Sequence, residues 1–168
     1  MDIFIINSKK ADDIDTELLQ KFCHKSFAKS KQEKTHSLTY LMLDRILREV
    51  YKIENFNIIF DGRKPKLEKN EKNFSVSHSN EYIAIAVSDF DCGIDIEEIK
   101  NRDYKKISKR MKFNSDSLES FYMNWTKYEA EYKLGIKSNA IYSFQIPRYT
   151  ITAASVNRNE RFDVFFSL

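Results

Sequence analysis

The sequence predicts an α+β protein built from two similar halves that are fused as a pseudo-dimer. The chain has 168 residues and a hydrophobic fraction of 42%, which is enough for one well-packed core. Helical patterns are followed by short strand patterns once in each half of the chain. We therefore expect an N-terminal half over 1–90 and a C-terminal half over 91–168, joined in one compact unit with antiparallel sheets packed against long helices.

The first half begins with an isoleucine-rich run, "DIFIIN", which predicts a strand over 2–7. The acidic start and apolar spacing of 12–29 predict a helix. A clearer helix is predicted over 35–53, where apolar residues recur at three- and four-residue steps, at Leu38, Leu41, Met42, Ile46 and Val50. The run "NFNIIFD" predicts a strand that leads into a turn at "GRKP".

The second group of elements starts at 73–99, where three short strands joined by polar turns are predicted. Two helices follow, over about 102–112 and 115–134. The last segments, "YSFQI", "YTITAASV" and "FDVFFSL", alternate like strands and are predicted to close the chain as a β-meander.

The composition excludes several classes of protein. The net charge of +3 is too small for a bulk nucleic-acid binder, although five lysines between Lys21 and Lys34 form a locally basic strip. The nucleic-acid hypothesis therefore stays open but weak. Cys23 and Cys92 are too few for a disulfide framework or a zinc site. The chain shows neither a signal peptide nor an apolar stretch of roughly 20 residues, so we expect a cytoplasmic protein.

A pair of carboxylates lies within the motif "CGIDIEEI". Residues two apart on a strand point to the same side, so Asp95 and Glu97 share one face and Ile94 and Ile96 share the other. An ordinary polar strand face has the same pattern. Two adjacent carboxylates also suit Mg²⁺, which is usually completed by waters and substrate phosphates.

The helix predicted over 115–134 adds a charged stripe. Trp125, Glu129 and Lys133 lie four residues apart and therefore along one side of the helix. An i,i+4 ion pair between Glu129 and Lys133 is the ordinary structural explanation, and a functional role beside a buried tryptophan is the alternative.

Two further motifs carry groups that suit phosphate. In "FSVSHS", Ser77 and His78 offer a hydroxyl and an imidazole. In "DGRKPK", a turn shaped by Gly62 and Pro65 displays cations that can clamp an anion or remain simply solvated.

Together, "GRKP", "FSVSHS", "GIDIE" and "WTKYEAEYK" resemble the motifs of a phosphopantetheinyl transferase of the surfactin-synthetase-activating type. The family pattern is a Gly-Lys-Pro turn, then Phe-x-x-Ser-His-Ser, then Gly-(Ile/Val)-Asp-(Ile/Leu)-Glu, then Trp-x-x-Lys-Glu-(Ala/Ser)-x-x-Lys. The four motifs occur in this order between 62 and 133. The segment "THSLTYLML" is similar to the family's Arg-Ser-Leu helix and extends the resemblance towards residue 36.

The resemblance implies an active site in the cleft between the two halves, and it implies the reaction. Coenzyme A and an apo carrier protein would give a holo carrier protein and adenosine 3',5'-bisphosphate, with Mg²⁺ as the cofactor. The implied magnesium ligands are Asp95, Glu97 and Glu129. Glu129 would also help to deprotonate the carrier serine, and Lys133 would stabilise the leaving bisphosphate. The residues implied to bind coenzyme A are His36, Ser37, Lys64, Pro65, Ser77 and His78.

The partners implied by the resemblance are coenzyme A and an acidic acyl or peptidyl carrier protein, without nucleic acid or membrane. The predicted helix over 102–112 is rich in cations and is a candidate surface for the carrier, although a solvated basic helix has the same composition. A two-halved chain is expected to work as a monomer.

The chain departs from the family pattern at several places. Tyr128 replaces the first lysine of the tryptophan motif, and His36 replaces the arginine before Ser-Leu. The "GRKP" turn has an extra residue between Gly62 and Lys64. Tyr128 and His36 support an alternative in which the protein binds coenzyme A or a carrier protein without turnover.

Overall fold

The computed structural model describes residues 1–11, 34–62, 64–69 and 71–167, and within them the chain has an α+β fold. The helix predicted over 12–29 lies outside the described residues, and so does Cys23. The basic strip reaches the edge of the described residues at its last lysine. The described helices are α1 (Lys34–Arg45), α2 (Tyr104–Met111) and α3 (Leu118–Leu134). The described strands are β1 (Asp2–Asn7), β2 (Ile58–Asp61), β3 (Lys64–Leu67), β4 (Asn73–Ser79), β5 (Tyr82–Ser88), β6 (Cys92–Glu98), β7 (Ala140–Ile146), β8 (Tyr149–Ser155) and β9 (Asp163–Ser167).

The strands form a four-stranded sheet, a three-stranded sheet and a hairpin. The four-stranded sheet has the order β4-β5-β1-β9, and the three-stranded sheet has the order β6-β8-β7. The hairpin consists of β2 and β3, which contains Lys64 and Pro65. The pairing is antiparallel except between β1 and β9.

The two larger sheets pack face to face between two helices. On β1, Ile3 and Ile5 alternate with Phe4 and Ile6, as a strand buried on both faces requires. Ile3 and Ile5 belong to a core shared with the three-stranded sheet, and Phe4 and Ile6 belong to a core under α1. The other face of the three-stranded sheet is covered by α3, where Ala130, Leu134 and Ala154 are buried together. The order of layers is therefore helix, sheet, sheet, helix.

The predicted C-terminal meander is wrong for its last strand. β7 and β8 form the expected hairpin, but β9 joins the four-stranded sheet and pairs in parallel with β1, from Asp2 opposite Asp163 to Ile6 opposite Ser167. The rings of Phe4 and Phe165 stack across this pairing at 5.2 Å. The free edge of β1 provides unpaired backbone groups, and β9 satisfies them.

Other expectations are refined. The helix predicted over 35–53 is α-helical to Arg45 and continues as a π-helical turn over Ile46–Val50. The strands predicted at 2–7 and within 73–99 are confirmed. None of the helices in the described part of the chain is long and apolar enough to span a membrane.

Candidate functional site

Strand β6 carries the carboxylate pair, and α3 lies directly on it. Ile94 and Ile96 are 0% and 1% exposed and face the core, while Asp95 and Glu97 project to the other side, towards α3. Gly93 explains why the helix can approach so closely. A Cβ atom placed on Gly93 would overlap the carbonyl oxygen of Ala130 and stand 2.9 Å from the backbone nitrogen of Leu134. The glycine of "CGIDIEEI" is therefore required by packing against the backbone of α3.

Asp95 is the most buried carboxylate of the site. Its Oδ1 atom accepts hydrogen bonds from Ser77 Oγ at 2.8 Å and from Lys133 Nζ at 2.8 Å. Its Oδ2 atom is buried and has no hydrogen bond within the described residues. Burial raises the pKa of Asp95, and the charge and hydrogen bonds of Lys133 and Ser77 offset part of that increase. One oxygen of Asp95 is thus hydrogen-bonded, and the other is a buried acceptor that has no donor among the described residues.

Glu97 is held by two donors from different elements. Its Oε1 atom accepts the indole N–H of Trp125 at 3.3 Å, and its Oε2 atom accepts the hydroxyl of Ser79 at 3.4 Å. Burial and the charge of Asp95 raise the pKa of Glu97, and its hydrogen bonds lower it in part. Trp125 is half-buried in an aromatic cluster with Phe113, and its polar atom orients a carboxylate.

Glu129 faces the same region from α3. Its carboxylate makes no hydrogen bond within the described part of the chain. Burial and then the negative charge of Asp95 raise the pKa of Glu129, while the positive charge of Lys133 lowers it. The three carboxylates therefore form one electrostatic group, in which Asp95 raises the pKa of both of its neighbours.

Lys133 does not form the ion pair with Glu129 that their spacing on the helix suggested. Within the described residues its ion pair is with Asp95 on β6, and the i,i+4 pair with Glu129 is not formed. The ammonium also donates to Ser77 Oγ at 2.9 Å and to the carbonyl oxygen of Ile94 at 3.0 Å. Lys133 therefore ties α3 to β6.

The predicted magnesium ligands do not form a preassembled metal centre. Among the described residues, no group of three or more His, Cys, Asp or Glu side chains is arranged to hold a metal ion. Asp95 and Glu97 nevertheless fit Mg²⁺, because this ion commonly uses one or two carboxylates together with waters and substrate phosphates. The unpaired Oδ2 atom of Asp95 agrees with that use. The three-residue ligand set stays a prediction.

A cleft of about 1090 Å³ opens beside these residues. It is lined from both predicted halves, by the β2–β3 hairpin, the start of β4, the turn after β5 and the C-terminal end of α3. Among the predicted site residues, Lys64, Pro65 and Lys133 line it directly. A volume of this order suits a ligand as large as a nucleotide cofactor.

The structure places the remaining predicted residues around this cleft or away from it. Lys64 Nζ donates to the carbonyl oxygen of Cys92 at 3.3 Å, so the hairpin touches the start of β6. His36 packs on the ring of Tyr40 at 4.8 Å, and Tyr40 lines the cleft. Ser37 is buried in α1. His36 therefore lies next to a residue of the cleft lining.

Ser77 and His78 point to opposite sides of β4. Ser77 is buried and contacts Asp95 and Lys133. His78 is exposed and lies on the other face, because side chains alternate along a strand. The strand continues to Ser79. The structure brings Ser77, and not His78, to the carboxylate group.

Sequence reasoning missed the hydroxyls that join β4 to β6. Ser75, Ser77 and Ser79 accept hydrogen bonds from the backbone N–H groups of Ile94, Ile96 and Glu98, at 3.1, 3.4 and 2.9 Å. The signal was a serine at every second position of one strand. The role of these serines could not be predicted, because the sequence does not show which residues that face of the strand contacts.

Helix α2 forms an exposed basic surface next to the aromatic cluster. Asp103 caps its first turn, and Lys112 in the left-handed conformation ends it. Its cations are exposed, at Lys105, Lys106, Lys109 and Arg110. On its inner side, the ring of Tyr104 lies 6.1 Å from that of Phe121 on α3. The basic surface therefore lies beside the helix that carries Glu129 and Lys133.

Residues from all four sequence motifs thus lie in or beside one region, between the β2–β3 hairpin, β4, β6 and α3. Comparison of the chain with protein-family models and with curated proteins finds no match.

Proposed function

We propose that the protein transfers the 4'-phosphopantetheine group of coenzyme A to a serine hydroxyl of an apo acyl or peptidyl carrier protein. The observation that carries the proposal is the meeting of Ser77, Asp95 and Lys133, with separations of 2.8 to 2.9 Å, where Lys133 lines the cleft. These residues come from three separate sequence motifs. Lys64 and Pro65, from the fourth motif, line the same cleft.

The transfer reaction requires a general base for the serine hydroxyl and positive charge near the leaving phosphate. The serine Oγ forms a bond to the phosphorus that bears the pantetheine group, and the bond from that phosphorus to the bridging oxygen breaks. Adenosine 3',5'-bisphosphate leaves with the bridging oxygen and its electron pair. Glu129, whose pKa is raised by burial and by Asp95, accepts the serine proton. Lys133 supplies positive charge to the leaving phosphate.

A divalent cation would share this task. Mg²⁺, when bound, supplies further charge neutralisation at the pyrophosphate, and Asp95 and Glu97 are the residues that would hold it. The protein's own part is to keep both carboxylates oriented, through Lys133 and Ser77 for Asp95 and through Trp125 for Glu97.

The surfaces around the carboxylates support the choice of substrates. The cleft would hold coenzyme A, with Lys64 at its phosphates. The exposed cations of α2 would attract an acidic carrier protein and bring its serine towards Glu129.

Calorimetric titration with coenzyme A tests the placement of the nucleotide. Lys64→Ala should weaken binding about tenfold, because it removes a charge-assisted contact to phosphate. Lys69→Ala is the matched control, since Lys69 is exposed and does not line the cleft. Equal affinities for the two variants would remove Lys64 from the binding site.

A further inference from the structure

Strands β4 and β6 are edge strands of different sheets, and serine side chains join them. The outer N–H groups of β6 belong to Ile94, Ile96 and Glu98, and each is bound by one serine hydroxyl of β4. We call Ser75, Ser77 and Ser79 the serine row. The row satisfies backbone donors that a neighbouring strand would otherwise bind.

Two members of the serine row also reach the site carboxylates. Ser77 Oγ donates to Asp95 Oδ1 at 2.8 Å, and Ser79 Oγ donates to Glu97 Oε2 at 3.4 Å. Ser75 makes the same backbone contact, but among the described residues it has no hydrogen bond to a carboxylate. The row thus contains two residues with both contacts and one with the backbone contact alone.

The direction of the Ser77 hydroxyl proton follows from its partners. A hydroxyl group has one proton to donate and two lone pairs that accept. The N–H of Ile96 and the ammonium of Lys133 can only donate, so they occupy both lone pairs. The proton must therefore go to Asp95, and the Ser77 hydroxyl has no remaining donor for a substrate phosphate.

We propose that Ser77 and Ser79 are positioning residues, which fix the carboxylates of Asp95 and Glu97 relative to the N-terminal half and so set the geometry of the cation site. The inference rests on the proposed function, because it takes these two carboxylates to be the ones that hold the cation. It assigns Ser77 to Asp95 instead of to coenzyme A. Hydrogen bonds to metal-binding carboxylates typically change metal affinity by about 10- to 100-fold.

The matched variants are Ser77→Ala, Ser79→Ala and Ser75→Ala, and the probe is Mn²⁺ titrated into the full chain and followed by electron paramagnetic resonance. Ser77→Ala and Ser79→Ala should each weaken Mn²⁺ binding about tenfold. Ser75→Ala should stay within about twofold of the wild type, because it loses only the backbone contact. Ser79→Thr keeps the hydroxyl and should restore most of the affinity. Ser79 is half-buried, so its variants remain informative if Ser77→Ala does not fold.

The outcomes separate this inference from the proposed function. Equal losses in Ser75→Ala and Ser79→Ala would overturn it, since the row would then be purely structural. A wild-type protein that binds no Mn²⁺ would overturn it as well. If Mn²⁺ binding follows the expected order but the wild type transfers no phosphopantetheine, the positioning role stands and the transferase proposal fails. Where transfer occurs, Ser79→Ala should lower kcat while leaving the KM for coenzyme A unchanged.

Discussion

The ammonium nitrogen of Lys133 lies 2.8 Å from Oδ1 of Asp95, so a side chain of α3 neutralises a buried carboxylate of β6. The Asp95 side chain is 6% exposed, and that of Lys133 is 30% exposed and reaches the cleft. The same lysine thus performs two tasks. It offsets the burial of Asp95, and it presents positive charge where a phosphate would lie.

Replacing Lys133 with methionine should abolish transfer and destabilise the fold. Asp95 would keep its burial and lose the cation that lowers its pKa. Removing one partner of a buried pair costs about 3–5 kcal/mol, and the partial exposure of Lys133 reduces the expected loss to about 2 kcal/mol. Urea unfolding at pH 7 measures it. Lys127→Met, at an exposed position of the same helix, is the control and should be nearly neutral. The same loss in both variants would mean that the ion pair contributes no stability.

The site carboxylates should make the protein less stable as the pH rises. Burial and mutual repulsion raise the pKa values of Asp95, Glu97 and Glu129. Between the ordinary pKa and the raised one, the folded state binds more protons than the unfolded state, so the free energy of unfolding falls as the pH rises through this window.

Glu97→Gln should therefore stabilise the protein at pH 7 and leave it almost unchanged at pH 4, where Glu97 is largely protonated. Because Glu97 is partly exposed, solvent screening limits the gain to about 0.5 kcal/mol. Urea unfolding at both pH values measures the difference, with Glu71→Gln at an exposed position as the control. A loss of stability at pH 7, or an equal gain at both pH values, would contradict the assigned direction.

Gly93→Ala should separate α3 from β6. The added methyl group would overlap the Ala130 carbonyl oxygen, and backbone atoms cannot move aside as a flexible side chain can. We expect a loss of about 3 kcal/mol or more, since overpacking a tight core costs about 1–3 kcal/mol even where side chains adjust. Gly62→Ala is the matched control: it meets nothing within 4 Å, but its φ of +61° makes alanine strained by roughly 1–2 kcal/mol. Thermal and urea unfolding compare the two, and a smaller loss at position 93 would refute the close-approach explanation.

Much of β6 and its environment could be predicted from local patterns. The alternation of Ile94 and Ile96 with Asp95 and Glu97 indicated that the two pairs lie on opposite faces of one strand, and the structure confirms it. Alternation depends only on the geometry of a single strand, so a sequence can reveal it. The α+β class followed in the same way from the order of helical and strand patterns.

Contacts between distant segments could not be predicted in this way. The helical spacing of Glu129 and Lys133 suggested that they pair, whereas Lys133 crosses to Asp95 because Gly93 lets α3 lie close to β6. The alternation of "FDVFFSL" correctly predicted a strand, but the predicted meander gave it the wrong partner, because β9 pairs with β1 from the opposite end of the chain. A periodic pattern predicts on which face of a strand or helix a residue lies. Which residues that face contacts is determined only by the packed fold.

The measurement that tests the central claim most directly is the intact mass of apo acyl and peptidyl carrier proteins after incubation with this protein, coenzyme A and Mg²⁺. We predict that at least one carrier gains the mass of a single phosphopantetheine group, and that a chelator or Asp95→Ala prevents the gain. If no carrier gains mass while coenzyme A still binds, the chain is a binding protein without turnover, and the proposed transfer reaction is contradicted.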